Sequence, residues 1–240
     1  MAITRRNFCL GVGVIAVSTI ALAIPPVRRL FHPLVVRFQG RRTVEDRLQE
    51  FSTAHVRLKE KFDRAGVVYP PAHVVLLGLK DERRLEVYAG SARESLRLVA
   101  DYPILAASGG AGPKLREGDR QVPEGIYALE SLNPNSRFHA ALRIAYPNDF
   151  DRKMAKQDGR SQLGGDIMIH GGAASVGCLA MGDPAAEDLF VLAADTGIEN
   201  VTIIIAPVDL RQRALPEGLS TNWRAGLYAV ISSELTTLRK

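Results

Sequence analysis

Cysteine is scarce in this chain: of 240 residues only Cys9 and Cys178 are cysteines. Cys9 falls inside the apolar run Phe8–Ile24, which follows Thr4-Arg5-Arg6-Asn7 and reads as an export signal or a single anchor. Cys178 would then stand alone in an oxidising compartment, which excludes a disulfide framework and leaves a lone thiol to be explained. Acidic residues are missing from positions 1–30, where Arg5, Arg6, Arg28 and Arg29 supply four of the formal +5 charges. The rest of the chain is close to neutral, so nucleic-acid binding gains no support. Gly109, Gly110 and Gly112 are followed by neither Gly-Lys-Ser/Thr nor a helix, so they read as a plain loop rather than a phosphate cradle. No set of neighbouring ligands surrounds His55 or joins His170 and Cys178, so no metal or cofactor is expected.

Four segments follow from composition. Residues 1–27 are the export signal or membrane anchor. The paired arginines resemble a twin-arginine signal, Ala21-Leu22-Ala23 offers a cleavage site, and Pro25-Pro26 directly after it hinder processing. The apolar run is close to the minimum of about 17 residues for a spanning helix, so membrane attachment is expected if it stays uncleaved. Residues 28–70 are a basic linker and an amphipathic helix. Val44, Leu48, Phe51, His55, Leu58 and Phe62 recur at spacings of four and three, predicting a helix over 43–65 with His55 packed on its stripe. Residues 71–210 have the composition of one globular domain, and residues 211–240 are a helical extension.

Inside the domain, His73–Leu79 and Leu85–Ala89 flank a charged turn and predict a hairpin, with further short strands at Leu96–Tyr102 and Ile104–Ser108. Gly118-Asp119 and Pro123-Glu124-Gly125-Ile126-Tyr127 predict a turn feeding a strand, with Asp119 and Glu124 structural. The polar, glycine-containing stretch Asp149–Gly165 is expected to be a mobile flap. Asp183-Pro184 with Glu187 and Asp188 marks a helix start, Asp183 capping it, and Gly197 its end. Val201–Val208 is a β-branched strand closing the core, and Trp223, Leu227, Val230, Ile231 and Leu235 predict a last helix. Many short strands with few helices argue a mainly β, α+β domain.

The stretch Asp166–Met181, DIMIHGGAASVGCLAM, carries the chemistry. Alternation puts His170 on the strand face opposite Ile167 and Ile169, and the strand breaks at Gly171-Gly172. A cysteine attacks as thiolate, so Cys178 needs a partner for its proton, and the imidazole of His170 titrates in the right range. Backbone N–H groups of Gly177, Cys178 and Leu179 are candidates to face a developing oxyanion.

His170-Gly171 followed by Ser175-Val176-Gly177-Cys178 resembles the signature of the L,D-transpeptidase catalytic domain (YkuD-like) family, with a short spacer, Val176 in place of a second histidine and Ala180 where a polar residue is common. These departures, together with Gly118-Asp119, the Pro-x-Gly-x-Tyr element, Asn133–Phe138 and Tyr146-Pro147-Asn148, are similar to the periplasmic YafK-like branch. The likeness runs over roughly residues 74–207. It implies a β-sandwich-type catalytic fold and an exported enzyme of the periplasm or cell envelope acting on diaminopimelate-containing stem peptides of peptidoglycan. It also implies Cys178 as nucleophile, His170 as proton donor and acceptor, and the Gly171 carbonyl as the group orienting His170. Transpeptidation through an acyl-cysteine is the expected reaction. Hydrolysis of the same bonds, trimming stems or detaching a peptidoglycan-linked lipoprotein, and an inactive peptidoglycan-binding protein are the alternatives. Arg137, His139 and Ser175 are candidate substrate contacts.

Overall fold

The structure, a computed structural model, describes residues 40–220 and 222–238. The expected signal or anchor and most of the basic linker lie outside the described residues. From Thr43 onward the chain forms one compact unit. Among the described residues no helix is long and apolar enough to cross a membrane.

Two helices open it, α1 (Val44–Glu50) and α2 (Ser52–Ala65). Thr43 starts α1 with a reciprocal cap: its hydroxyl accepts from the Asp46 N–H and its own N–H donates to the Asp46 carboxylate. The predicted single helix is interrupted at Phe51, where ψ of 29° leaves the helical range. The apolar stripe nevertheless continues through the break, with Phe51, Ala54, Leu58 and Phe62 all buried.

The strands are β1 (His73–Leu79), β2 (Arg84–Gly90), β3 (Arg97–Pro103), β4 (Ala106–Ala107), β5 (Gly125–Asn133), β6 (Ala141–Ile144), β7 (Met168–His170), β8 (Leu179–Ala180) and β9 (Val201–Ala206). Three more helices are α3 (Asp149–Gln157), α4 (Asp183–Thr196) and α5 (Trp223–Thr237). The strand order is β3-β2-β1-β9-β5-β6-β7-β8-β4, parallel at β1/β9 and β7/β8 and antiparallel elsewhere. The α+β fold expected from the sequence is the one observed. β5 joins the two halves: Gly125–Ala128 pair with β9 and Leu129–Asn133 with β6.

Helices cover both faces of the β1/β2/β9 half. Leu58 and Phe62 of α2 and Leu189 and Phe190 of α4 pack with Val74, Leu76, Val87 and Ile203. Tyr228, Ile231 and Leu235 of α5 pack with Val75, Leu77 and Ile204 on the other side. A strand buried on both faces must be apolar at every position, which is why β1 and β9 read as continuous hydrophobic runs rather than alternating ones.

Glu124, fully buried, ties α5 to this layer. Its carboxylate accepts from the Lys80 ammonium and the Gly112 N–H at one oxygen and from the Tyr228 hydroxyl at the other. Asp119 holds the preceding turn, accepting from Lys114 and from the N–H groups of Leu115, Arg116 and Gln121.

Two expectations are corrected. The first half of the predicted flap is helix α3, because Asn148 and Asp151 cap it reciprocally. Asp183 does not cap α4. The cap position is Gly182, and the Asp183 carboxylate instead accepts from the Gly172 N–H across the next loop.

Candidate active site

β6, β7 and β8 form a patch with two unlike faces. Ala141 pairs with His170 and Arg143 with Met168, while His170 pairs with Ala180 on the other side. Leu142, Ile169 and Leu179 therefore share the core face and are fully buried. Ala141, Arg143, Met168, His170 and Ala180 share the opposite face. Cys178 directly precedes β8, one residue before the β7/β8 ladder begins at Leu179 opposite Ile169, and its thiol meets the backbone of Asp166 and Met168.

His170 is buried and its Nδ1 lies 2.6 Å from the Gly171 carbonyl oxygen. A carbonyl only accepts, so Nδ1 carries a proton, and whenever the ring is neutral Nε2 is its acceptor. The Phe138 ring stacks on the imidazole with centroids 4.5 Å apart and planes 30° from parallel. Gly171 is required by close approach: a Cβ there would sit 2.6 Å from the Phe138 carbonyl oxygen and 2.5 Å from Asp183 Oδ1.

The nucleophile loop is held by two hydroxyls. Ser175 Oγ accepts from the Cys178 N–H and donates to the Cys178 carbonyl, closing a small ring around the cysteine backbone. Ser108 Oγ accepts from the Gly177 N–H and donates to the Arg120 carbonyl. Gly177 has φ of +87°, so glycine allows the turn into Cys178 without strain. Of the three amides expected to face an oxyanion, those of Gly177 and Cys178 thus meet serine hydroxyls, and Leu179 lies within β8.

Cys178 is half-buried, and its thiol donates weakly to the Asp166 carbonyl oxygen at 3.6 Å. Burial pushes the thiol up, and the nearby Asp166 carboxylate adds to this. The backbone contact at Met168 and the positive charge of Lys114 oppose it without reversing it. A thiol attacks only as its proton leaves, and this environment makes that proton harder to lose.

The other sequence candidates are placed apart in role. Arg137 is exposed in the β5–β6 connection. His139, with φ of +77°, directs Nε2 to Glu187 Oε1 at 2.8 Å and packs its ring 5.1 Å from Phe51. Neither lies in a strand, because the chain turns between Pro134 and Ala140. The sequence reading assigned no role to Phe138, Ser108, Asp166, Arg143 or Arg47. Arg47, only 3% exposed, donates to the carbonyls of Pro134 and His139 and so pins the loop that carries Phe138.

A family model of the L,D-transpeptidase catalytic domain, YkuD, matches residues 72–205. The Escherichia coli K12 protein named "Putative L,D-transpeptidase YafK" is 38% identical over 113 residues, covering 46% of this chain and 43% of that protein, so the chain spans less than half of that relative. Among solved structures, the helical cell shape determining protein Pgp2 of Campylobacter jejuni is 22% identical, covers 61% of this chain and 54% of its own, and has a TM-score of 0.44. Bd1075 of Bdellovibrio bacteriovorus is 23% identical, with 69% and 58% covered and a TM-score of 0.43. Since the family model runs from the approach to β1 into β9, across both His170 and Cys178, the chain belongs to the L,D-transpeptidase catalytic domain family.

Proposed function

We propose that this protein is a cell-envelope cysteine enzyme acting on diaminopimelate-containing stem peptides of peptidoglycan. The observation that carries the reading is an oriented imidazole and a thiol on adjacent strands: His170, the last residue of β7, donates through Nδ1 to Gly171, and Cys178 directly precedes β8, which pairs with β7. Cys178 Sγ bonds to the carbonyl carbon of an amide at diaminopimelate while its proton passes to His170 Nε2. The C–N bond then breaks, the amine leaves with the proton returned by His170, and a thioester remains on Cys178. In the 177–179 segment the Gly177 N–H donates to Ser108 Oγ and the Cys178 N–H to Ser175 Oγ, so the adduct oxygen takes an N–H there by displacing a serine hydroxyl.

An amine from a second stem resolves the thioester in transpeptidation, and water resolves it in hydrolysis. Hydrolysis is kept as a second reading because the same thioester can be resolved by water as well as by an amine, and Val176, two residues before the nucleophile, is 73% exposed. The membership of the family and the likeness to YafK support the substrate class and an exported, envelope location.

Incubation of defined muropeptides, with and without a protein-linked stem, with the protein and its Cys178→Ala variant tests this by mass spectrometry. Cross-linked or exchanged products lost in the variant identify the transferase, and shortened or detached stems the hydrolase. Identical product patterns with both proteins would overturn the reading in favour of a binding protein.

A further inference from the structure

We infer that Arg143 binds a free carboxylate of the stem peptide beside Cys178, an inference that rests on the peptidoglycan reading above. Strand register places the residue. Arg143 pairs with Met168 across β6/β7, and Cys178, one residue before the β7/β8 ladder, follows Met168 in the same row of neighbouring chain segments. Two interstrand steps put the Arg143 and Cys178 backbones about 10 Å apart. A contact pattern brings their side chains together more directly. Asp166 touches both: its carbonyl accepts from the Cys178 thiol, and its carboxylate is ion-paired with the Arg143 guanidinium.

The pair has the character of a displaceable one. The Asp166 side chain is 73% exposed and that of Arg143 34% exposed. An ion pair with one partner in water contributes little to stability, so exchanging one carboxylate for another on the same guanidinium has little cost. Asp166 also stands at φ of +59°, a left-handed conformation held by a non-glycine residue next to the nucleophile. A guanidinium can take a carboxylate through two parallel N–H donors, which fixes orientation as well as charge.

The substrate chemistry matches this spacing. When the thiol attacks the carbonyl on one α-carbon of diaminopimelate, a carboxylate on the other α-carbon lies at the far end of a three-methylene chain. An extended chain of that length together with an arginine side chain spans the row from Cys178 to Arg143. The C-terminal carboxylate of the stem is a second source of the same group.

The test is equilibrium titration of three synthetic stem peptides into the Cys178→Ala protein, which binds without turnover. One peptide is unmodified, one is amidated at the distal diaminopimelate carboxylate and one at the C-terminus. Adding Arg143→Gln is expected to weaken the unmodified peptide about tenfold or more, as the loss of a charge-assisted contact should. It should cost nothing further on the peptide whose bound carboxylate is already amidated, and that peptide names the source. Arg143→Lys recovers part of the loss, and Asp166→Asn, which tolerates the left-handed backbone, binds at least as tightly as its parent. Unchanged binding of all three peptides, or an equal loss on all three in a variant that melts like its parent, overturns the inference. Cys178-dependent conversion of the unmodified peptide by the intact protein separates the two layers. With conversion but no Arg143 effect, the subsite falls and the enzyme reading stands. With neither conversion nor binding, the reading falls and the subsite with it.

Discussion

Cys178 titrates high because a half-buried thiolate loses solvation and faces the Asp166 carboxylate. A thiol in this setting differs from the preformed thiolate that an adjacent cation creates: most of it is protonated at neutral pH, and attack depends on His170 taking the proton as the bond forms. Alkylation by iodoacetamide in the absence of substrate should therefore rise with pH to a midpoint above the ordinary thiol value of about 8.5. Asp166→Asn removes a charge that raises the thiol, so its midpoint should move down. A midpoint well below the ordinary value in the parent protein would show a thiolate–imidazolium pair instead. His170 and Cys178 were legible in the sequence because they stand close together in a glycine-rich run. Phe138, stacked on His170, was not, since its position 32 residues upstream says nothing about contact. The alternation that put His170 opposite the isoleucines would also have placed Arg143 opposite Leu142 and Ile144, had β6 been read as a strand.

At the level of single elements, polar side chains set several boundaries. Asp119 organises the turn before β5 with four donors, and although burial opposes it, the Lys114 ammonium and the N–H groups of Arg116, Gln121 and Leu115 hold its carboxyl below the usual range. A carboxyl depressed in the folded state contributes stability above its unfolded value, and that contribution is lost as pH falls through the folded value. Asp119→Asn should accordingly cost about 1–3 kcal/mol at neutral pH. The gap between parent and variant should close in acid, which thermal melts across pH measure directly. A gap that persists unchanged into acid would make the loss one of shape rather than charge. The hairpin β1/β2 was legible because its turn is charged and its strands apolar. Helix α3 was not, since nine largely polar residues look like a loop until the reciprocal cap of Asn148 and Asp151 is noticed. Asp183 looked like a cap because it precedes proline, but the Gly172 N–H on a separate loop claims it.

For the molecule as a whole, the family match begins at residue 72, yet the packing unit begins at Thr43. Helix α2 supplies both apolar and ionic ties. Phe51 just before it and Leu58 and Phe62 within it are buried, each worth about 1.5–3 kcal/mol as an upper estimate. Asp188 of α4, 1% exposed, accepts from Arg57 and Lys61 of α2 and from the Tyr102 hydroxyl. Without α2 this carboxylate loses both cations and its cover, and with α2 in place but both cations replaced an uncompensated buried charge costs about 3–5 kcal/mol. Together these losses rival the whole stability of a domain, about 5–15 kcal/mol. Arg47 adds a functional tie, since it pins the Pro134–His139 loop that stacks Phe138 on His170. A chain beginning at residue 72 should therefore fail to show a cooperative melt and should bind a hydrophobic dye, whereas one beginning at Thr43 should melt in a single transition. In the full chain, Arg57→Met with Lys61→Met tests the ionic share alone and should lower the melting temperature by many degrees, with Asp188→Asn recovering part of it. A chain from residue 72 that melts cooperatively within a few degrees of the longer one would show that α1 and α2 are an appendage.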